Sequence, residues 1–270
     1  MDPQRFSGQV AIVTGSTAEP SIGRSCAFRL AREGASVVVN GRDAGRVEAT
    51  EDALRAEGFA VCGVAGSMDT EPAVAMLADR ALEAFGRIDL LVSTLGGAPY
   101  RLSFDTISEA QLLETIRVNT WPAIALIRAG LERGLGDDGG GAVVTISSGS
   151  PLKTTSTMVS YASAKAALNT MTRTIAADLA DRVRVNAVSP GLVRTSATRP
   201  VWESDGGAAA GANLPVGRLT DPDDVAAAVC FLLSGDARQI TGVTLDVDGG
   251  NHLRGGGWTP IRSSPAAESG

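Results

Sequence analysis

The chain has 270 residues, near the upper limit for a single hydrophobic core. Its 44% apolar and 20% charged residues are ordinary for a globular domain, and a formal net charge of -6 argues against nucleic acid or an anionic membrane as the main partner. Three widely spaced cysteines without a C-x-x-C motif argue against a disulfide framework and a metal site, and favour a cytoplasmic location. The polar amino terminus predicts no signal peptide, and no apolar run approaches the roughly 20 residues that a membrane span needs.

Apolar, β-branched runs alternate with helical patterns along the chain. The predicted strands are 9–14, 36–40, 59–64, 88–92, 142–148, 183–188 and 243–247. The predicted helices are 22–32, 43–57, 71–85, 109–133, 158–179 and 221–233. This alternation predicts a parallel sheet covered on both faces. We therefore expect one doubly wound α/β domain of the Rossmann type, with a seven-stranded parallel sheet, over residues 1–250.

Two stretches carry no clear secondary-structure pattern. One is 196–215, rich in Ala and Gly, which we interpret as a loop that shapes the substrate site. The other is the carboxyl-terminal tail, 251–270, which we expect to be loose unless a neighbouring subunit covers it. Neither contains a motif from which a substrate could be inferred.

Tyr161-Ala162-Ser163-Ala164-Lys165 places a phenol and an ammonium four residues apart on a predicted helix, and therefore on one face. A free phenol has a pKa of roughly 10, and a nearby ammonium can lower it by roughly 1–3 units. The phenol would then be suited to general acid–base catalysis. An exposed lysine beside a half-buried tyrosine explains the pentapeptide equally well, so further residues must decide.

Ser148 follows a buried β-branched run and is expected at the carboxyl end of a strand, where open α/β sheets bind ligands. Asn119 stands upstream in Arg117-Val118-Asn119-Thr120. A serine, a Tyr-x-x-x-Lys motif and an upstream asparagine in this arrangement resemble the short-chain dehydrogenase/reductase family. The resemblance covers about residues 6–250, and the combination is specific although each part alone is weak.

The resemblance implies a role for each of these residues. Tyr161 would donate or accept a proton, and Lys165 would lower the pKa of Tyr161 and hold the nicotinamide ribose. Ser148 would hydrogen-bond the substrate oxygen. Asn119 would position a water molecule in a proton relay.

A turn between the first predicted strand and helix is expected to bind the cofactor pyrophosphate, because backbone N–H groups and the helix dipole meet there. Its candidate ligands are Gly15, Ser16, Ser21, Ile22 and Gly23. The turn departs from the family's Thr-Gly-x-x-x-Gly-x-Gly by two inserted residues and by Ser21 in place of the middle glycine. This spacing resembles the enoyl-thioester reductase branch, but that branch has its tyrosine seven residues before the lysine, where this chain has Met158. An ordinary strand–helix turn is the alternative.

Other cofactor contacts follow from the resemblance alone. Leu91-Val92-Ser93-Thr94-Leu95-Gly96-Gly97 occupies the place of the family's Asn-Asn-Ala-Gly, of which only Gly96 remains, and Ser93 and Thr94 are expected to replace some of the lost hydrogen bonds. The remaining cofactor-binding candidates are Ser67, Pro190, Gly191, Val193 and Thr195.

The second predicted strand ends in Asn40-Gly41-Arg42-Asp43. NAD-binding folds place an acidic residue here to accept a hydrogen bond from the ribose 2′-hydroxyl. The family pattern puts Gly41 at that position and Arg42 next, an arrangement that suits the 2′-phosphate of NADP(H). A shift of the alignment by two residues would instead make Asp43 the ribose ligand and reverse the preference.

These observations predict an oxidoreductase that moves hydride between NADP(H) and a small-molecule carbonyl/alcohol pair, such as a 3-oxoacyl compound or a small ketone. The alternative is a regulatory protein that binds NADP on the same fold without turnover. By the resemblance we expect a homodimer or homotetramer, assembled through the helices that contain Asn119 and Tyr161. Their outer faces are expected to present Trp121, Ile124, Leu168 and Met171.

Overall fold

A computed structural model describes residues 2–152 and 156–254 of the chain. Its strands are β1 Val10–Val13, β2 Ser36–Gly41, β3 Val61–Ala65, β4 Leu90–Ser93, β5 Gly141–Ile146, β6 Val183–Pro190 and β7 Thr244–Val247. Its helices are α1 Ile22–Arg32, α2 Ala44–Ala56, α3 Glu71–Phe85, α4 Glu109–Leu131, α5 Val159–Asp178, α6 Arg199–Trp202, α7 Asp205–Ala212 and α8 Pro222–Leu233. Every predicted strand and helix is present, and most predicted ends lie within a residue or two of the observed ones.

The strands form one parallel seven-stranded sheet in the order β3-β2-β1-β4-β5-β6-β7. One face packs on α1, α2 and α8 through side chains such as Leu30, Leu54 and Val225. The other packs on α3, α4 and α5 through side chains such as Leu77 and Leu126. Because both faces are covered, the strands are apolar throughout rather than alternating, as parallel strands usually are. The predicted doubly wound Rossmann-type fold is confirmed.

Local sequence signals set the ends of several helices. The Ser21 and Asp43 side chains cap α1 and α2 by accepting from the backbone N–H three residues on. The α8 helix begins with Pro222 in its first turn, and the Asp224 carboxylate accepts from the Asp221 N–H at 2.8 Å. Gly34 follows α1 with φ 99°, a left-handed conformation that closes the helix.

The expectation of an unstructured 196–215 stretch is wrong, because α6 and α7 lie within it. Alanine favours helix, but this short stretch has no apolar stripe to reveal one. Gly207 of α7 lets this helix pack closely against α6, since a Cβ at that position would lie 2.5 Å from the backbone of Trp202. The Trp202 indole N–H donates to the Thr195 carbonyl at 2.8 Å and fastens this segment to the end of β6.

The structure differs from two further predictions. The sequence places Leu168 on the outer face of α5, but this side chain is only 3% exposed and lies in the core, while Trp121, Ile124 and Met171 are half-buried. Part of the predicted tail is ordered, because residues 251–254 form a helical turn and the His252 ring lies 3.0 Å from the Asp248 carboxylate. The rest of the tail, 255–270, lies outside the described residues.

The strand order reverses between β1 and β4, so the chain leaves these neighbouring strands in opposite directions. Ligands of open α/β sheets bind in the crevice that this reversal creates at the carboxyl ends of the strands. Within residues 2–152 and 156–254, no helix combines the length and hydrophobicity needed to cross a bilayer.

Candidate active site

The turn after β1 is closed by glycines that leave no room for side chains. Gly15 has φ 62°, and a Cβ there would lie 2.5 Å from the Thr94 hydroxyl oxygen. A Cβ on Gly23 would overlap the Gly15 carbonyl oxygen. The Ser16 hydroxyl donates to the Val13 carbonyl at 2.8 Å and is fully buried. The turn is therefore a tightly packed backbone cradle directly before α1.

The two inserted residues of this turn are accommodated without harm to the helix start. Ser21, which replaces a family glycine, accepts from the Arg24 N–H at 3.1 Å and so caps α1. Glu19 turns to solvent with 75% of its side chain exposed and pairs with Arg24 at 3.3 Å. The first N–H groups of a helix have no acceptor within it, and here they include those of Ile22 and Gly23. The cradle therefore suits a pyrophosphate group.

The end of β2 forms the next part of the crevice. Asn40 is buried, and its amide donates to the carbonyls of Val64 and Gly66 at 3.0 and 3.1 Å. A Cβ on Gly41 would overlap the Thr17 side chain, which packs over it. The predicted contact Ser67 lies just beyond β3, where it is exposed and donates to Asp69 at 2.5 Å.

Arg42 and Asp43 differ in their surroundings. The Arg42 side chain is exposed and forms no hydrogen bond or ion pair with any other described residue. The Asp43 carboxylate instead accepts from the Arg46 N–H at 2.9 Å, as the cap of α2.

Ser148, Tyr161 and Lys165 converge at the carboxyl end of β5. The Tyr161 hydroxyl hydrogen-bonds to Ser148. The Lys165 ammonium is 5.8 Å from the centre of the Tyr161 ring and donates to the Ile146 carbonyl at 2.9 Å. The convergence arises because Ser148 follows β5, while the other two residues share one face of α5, which packs on the same side of the sheet.

The acid–base properties differ from the expectation that Lys165 lowers the pKa of Tyr161. Burial dominates and raises the pKa of the Tyr161 phenol, against opposing effects of the Ser148 hydrogen bond and the positive charge of Arg101. Burial also lowers the pKa of Lys165 to about 8. Desolvation disfavours the charged form of each group, so the phenol holds its proton more firmly than a free phenol.

Asn119 is buried in α4, and its side chain clamps the loop that leaves β4. Its amide oxygen accepts from the Gly97 N–H at 3.0 Å, and its amide nitrogen donates to the Gly97 carbonyl at 2.8 Å. Gly96 lies against the same group, because a Cβ there would overlap the Asn119 side-chain oxygen and lie 3.1 Å from the Lys165 ammonium. The structure thus brings Gly96, Asn119 and Lys165 together.

The segment after β6 closes the other side of the crevice. Pro190 ends the strand, and a Cβ on Gly191 would lie 3.0 Å from the Asp248 backbone. Val193 is buried. The Thr195 hydroxyl lies 3.0 Å from that of Thr198. These four predicted cofactor-binding residues, Pro190, Gly191, Val193 and Thr195, all belong to one short stretch of chain that begins at the carboxyl end of β6.

Sequence reasoning missed three residues of this region. The Ser150 hydroxyl is 2.9 Å from that of Ser148 and orients it, a contact that the Ser147-Ser148-Gly149-Ser150 run could have suggested. Arg101 acts on the pKa of Tyr161 but precedes it by 60 positions in the sequence, with no motif around it. Thr17, in the turn after β1, covers Gly41, a contact between residues 24 positions apart in the sequence. The Thr94 hydroxyl donates to the Thr14 carbonyl at 2.6 Å, and it thereby supplies the hydrogen bond expected of it.

Comparison with known proteins finds relatives along nearly the whole chain. The family described as enoyl-(acyl carrier protein) reductase matches residues 15–252. An uncharacterized oxidoreductase of Mycobacterium tuberculosis is 36% identical over 251 residues, 93% of this chain and 94% of that protein. Human dehydrogenase/reductase SDR family member 4 is 36% identical over 255 residues, 92% of this chain and 89% of that protein.

Solved structures give the same result. A 7α-hydroxysteroid dehydrogenase complexed with NADH and 7-oxo glycochenodeoxycholic acid has a TM-score of 0.85 and 31% identity, covering 92% of this chain and 96% of its own. A short-chain dehydrogenase of Burkholderia cenocepacia in complex with NADP has a TM-score of 0.82 and 31% identity, covering 91% and 98%. With the Ser148, Tyr161 and Lys165 constellation at the carboxyl end of β5, these similarities show that the chain belongs to the short-chain dehydrogenase/reductase family of oxidoreductases.

Proposed function

We propose that this protein interconverts a small-molecule ketone and the corresponding secondary alcohol with NADP(H) as the hydride carrier. The observation that carries the proposal is the meeting of Ser148, Tyr161 and Lys165 beside a glycine-closed cradle. The cradle after β1, the end of β2 and the segment after β6 would hold the cofactor. When bound there, the nicotinamide supplies or takes up the hydride.

The chain's own residues handle the oxygen and the proton. In the reducing direction, Ser148 donates a hydrogen bond to the carbonyl oxygen, with its hydroxyl held in place by Ser150. Tyr161 transfers its phenolic proton to that oxygen as negative charge develops. The phenol, whose pKa burial raises, is protonated at neutral pH and therefore holds the proton that this step requires. Asn119 holds the Gly97 loop, and the Lys165 ammonium of α5 lies against Gly96 in that loop and donates to the Ile146 carbonyl of β5.

Replacing Tyr161 by Phe tests the catalytic assignment. The ring keeps its packing while the transferable proton is lost, so we expect kcat to fall by roughly 10²–10⁴ with little change in cofactor binding. The measurement is cofactor oxidation during a screen of ketones, together with a titration of the cofactor. A variant that keeps more than about a tenth of the wild-type kcat would exclude Tyr161 as the proton donor. Cofactor binding by wild type without turnover of any carbonyl would favour the regulatory alternative.

The preference for NADP(H) rests on Gly41, Arg42 and Asp43. One solved relative carries NADH and the other NADP, so the preference of this protein depends on its own residues. Thr17 covers Gly41 and leaves no space for the acidic side chain that a ribose 2′-hydroxyl would use. Asp43 is engaged as a helix cap, whereas the exposed Arg42 is available to a 2′-phosphate.

Replacing Arg42 by Ala should weaken NADP(H) binding by about 10- to 150-fold, the value of a charge-assisted hydrogen bond. NAD(H) lacks the phosphate and is the internal control, so its affinity should change by about twofold at most. Dissociation constants of both cofactors in wild type and variant decide the matter. A wild type that prefers NAD(H), or an unchanged NADP(H) affinity in the variant, would rule out Arg42 as the phosphate ligand.

The remaining expectations belong to the same proposal. A cytoplasmic location is supported by Cys26, Cys62 and Cys230, which are all buried free thiols. Assembly as a dimer or tetramer is supported by the half-buried apolar side chains of Trp121 and Ile124 on α4 and of Met171 on α5.

A further inference from the structure

The loop between β4 and α4 borders the proposed carbonyl site. It begins at the carboxyl end of β4, and Asn119 holds it through both backbone groups of Gly97. Arg101 lies four residues beyond Gly97 in this loop, and its side chain is exposed. The loop is therefore anchored beside Lys165 at one end and presents a guanidinium to solvent near the crevice.

The charge of Arg101 is not neutralised by its surroundings. Among the described residues, its guanidinium forms no ion pair or hydrogen bond. The acidic groups of the same region have other partners, since Glu114 accepts from the Tyr100 hydroxyl at 2.6 Å and Asp105 accepts from Ser103. If Arg101 were buried or ion-paired, a role in stabilising the fold would explain it. An exposed arginine without a partner, beside the crevice, is instead available to bind a ligand.

The positive charge of Arg101 reaches the reacting group. It lowers the pKa of the Tyr161 phenol, in opposition to burial. The chain as a whole carries a formal charge of -6, so its average field repels anions. Arg101 is thus a positive charge on the loop that leaves the carboxyl end of β4, and Asn119 holds that loop at Gly97, next to Gly96 and the Lys165 ammonium.

We propose that Arg101 binds an oxyanion group of the substrate, so that the protein acts on carbonyl compounds that also carry a carboxylate or a phosphate. The guanidinium presents paired N–H donors that match either group. The inference rests on the proposed function, because it names the substrate class of the same site. Arg101 would orient the substrate by its anionic end while the carbonyl lies at Ser148 and Tyr161.

The test compares matched substrates rather than single activities. Oxo acids of increasing chain length are assayed beside their uncharged methyl esters, and ketone phosphate monoesters form a third arm that distinguishes the two anions. In wild type we expect kcat/KM to be about tenfold higher for the preferred anion than for the ester. Arg101→Gln should remove most of this ratio, and Arg101→Lys should retain part of it. Any effect of Arg101 on the Tyr161 proton is common to both substrates and cancels in the ratio.

Arg238 provides a matched control. It is exposed and lies before β7 begins, at the opposite edge of the parallel sheet from the crevice. Arg238→Gln removes the same charge from the molecule but should leave the ratio unchanged. Raising the ionic strength should lower the ratio in wild type and in Arg238→Gln, because salt weakens the attraction between exposed charges, with a screening length of about 10 Å at 0.1 M.

A binding titration separates this inference from the proposed function. With saturating oxidised cofactor no hydride is available, so oxo acids and their esters bind without reaction. Tighter binding of the anion in wild type, lost in Arg101→Gln, supports the inference even if no carbonyl is turned over. Equal binding and equal kcat/KM for anions and esters in wild type, or a ratio that survives Arg101→Gln, overturns it while leaving ketone reduction intact.

Discussion

At the scale of single residues, burial decides the acid–base properties of the two groups that the sequence pairs. Four-residue spacing puts Tyr161 and Lys165 on one face of α5, and from spacing alone the ammonium is expected to assist the phenolate. The lysine is only 3% exposed and contacts a backbone carbonyl, so desolvation outweighs the attraction between the two groups. The phenol is therefore neutral at pH 7, and the amine loses its proton at about pH 8 instead of near 10.5.

The lowered pKa of Lys165 predicts how stability depends on pH. Below about pH 8 the lysine is charged in the folded and unfolded states, and its burial costs the folded state in full. Between about 8 and its ordinary 10.5, the folded protein has released the proton that the unfolded chain still binds. Stability due to this residue therefore rises with pH, by up to about 3 kcal/mol.

Lys165→Met removes the titration while keeping the side chain's length. We expect the variant to be more stable than wild type at pH 7, and the difference to shrink as the pH rises from 7 to 10. Denaturant unfolding of both cofactor-free proteins across this range measures it. A difference that stays constant with pH would mean that the buried amine titrates near its usual value.

At the scale of elements, the layer formed by α5 and the last strands is polar in an unusual way. In the described part of the chain, the buried side-chain atoms without a hydrogen-bond partner all belong to α5, β6, β7 or the residue after β5: Ser147, Ser160, Asn169, Ser189, Thr244 and Asp246. Two of them, Ser189 and Asp246, are direct neighbours across β6 and β7. An unpaired buried hydroxyl costs about 1–3 kcal/mol.

Thr244→Val should therefore stabilise the protein by about 1 kcal/mol, since it removes an unpaired hydroxyl from an edge strand and keeps a β-branched side chain. Thr145→Val is the matched control. The Thr145 hydroxyl lies 3.2 Å from that of Thr172, so its loss should destabilise the protein by a similar amount. Free energies of unfolding from denaturant titrations measure both. A Thr244→Val variant less stable than wild type would mean that this hydroxyl has a partner in solution.

At the scale of the whole molecule, α4 and α5 lie side by side on one face of the sheet and carry apolar side chains outside the core. Trp121, Ile124 and Met171 are half-buried, and Leu113 of α4 is 55% exposed. Leu168 does not contribute, since it packs inward. Apolar surface of this kind commonly marks contacts between subunits.

We expect the protein to sediment as a dimer or tetramer at micromolar concentration. Ile124→Glu places a charge on the α4 surface and should shift the protein toward monomer, because an unpaired charge is costly to bury in an interface. Val216→Glu is the control, as Val216 is 63% exposed and lies outside both helices. Sedimentation of wild type as a monomer, or equal effects of the two variants, would count against assembly through α4.

The sequence by itself determined the alternation of strands and helices, the parallel sheet and the meeting of Ser148, Tyr161 and Lys165 at the carboxyl end of β5. Hydrophobic periodicity, helix caps and short motifs are local properties of the sequence. Neighbouring residues alone therefore suffice to interpret Ser21, Asp43 and the Tyr161–Lys165 pair. Helices α6 and α7 were missed because their Ala- and Gly-rich segment carries no apolar stripe, and a glycine contact with Trp202 holds them together.

Only the tertiary structure decided properties that depend on residues distant in the chain. The inward position of Leu168, the clamp of Asn119 on Gly97 and the cover of Thr17 over Gly41 all come from packing between elements. The protonation of Tyr161 also depends on residues that are distant in the chain. Spacing brings Lys165 to Tyr161, but the depth of burial and the approach of Arg101 set the pKa of the phenol, and neither is encoded in a local pattern.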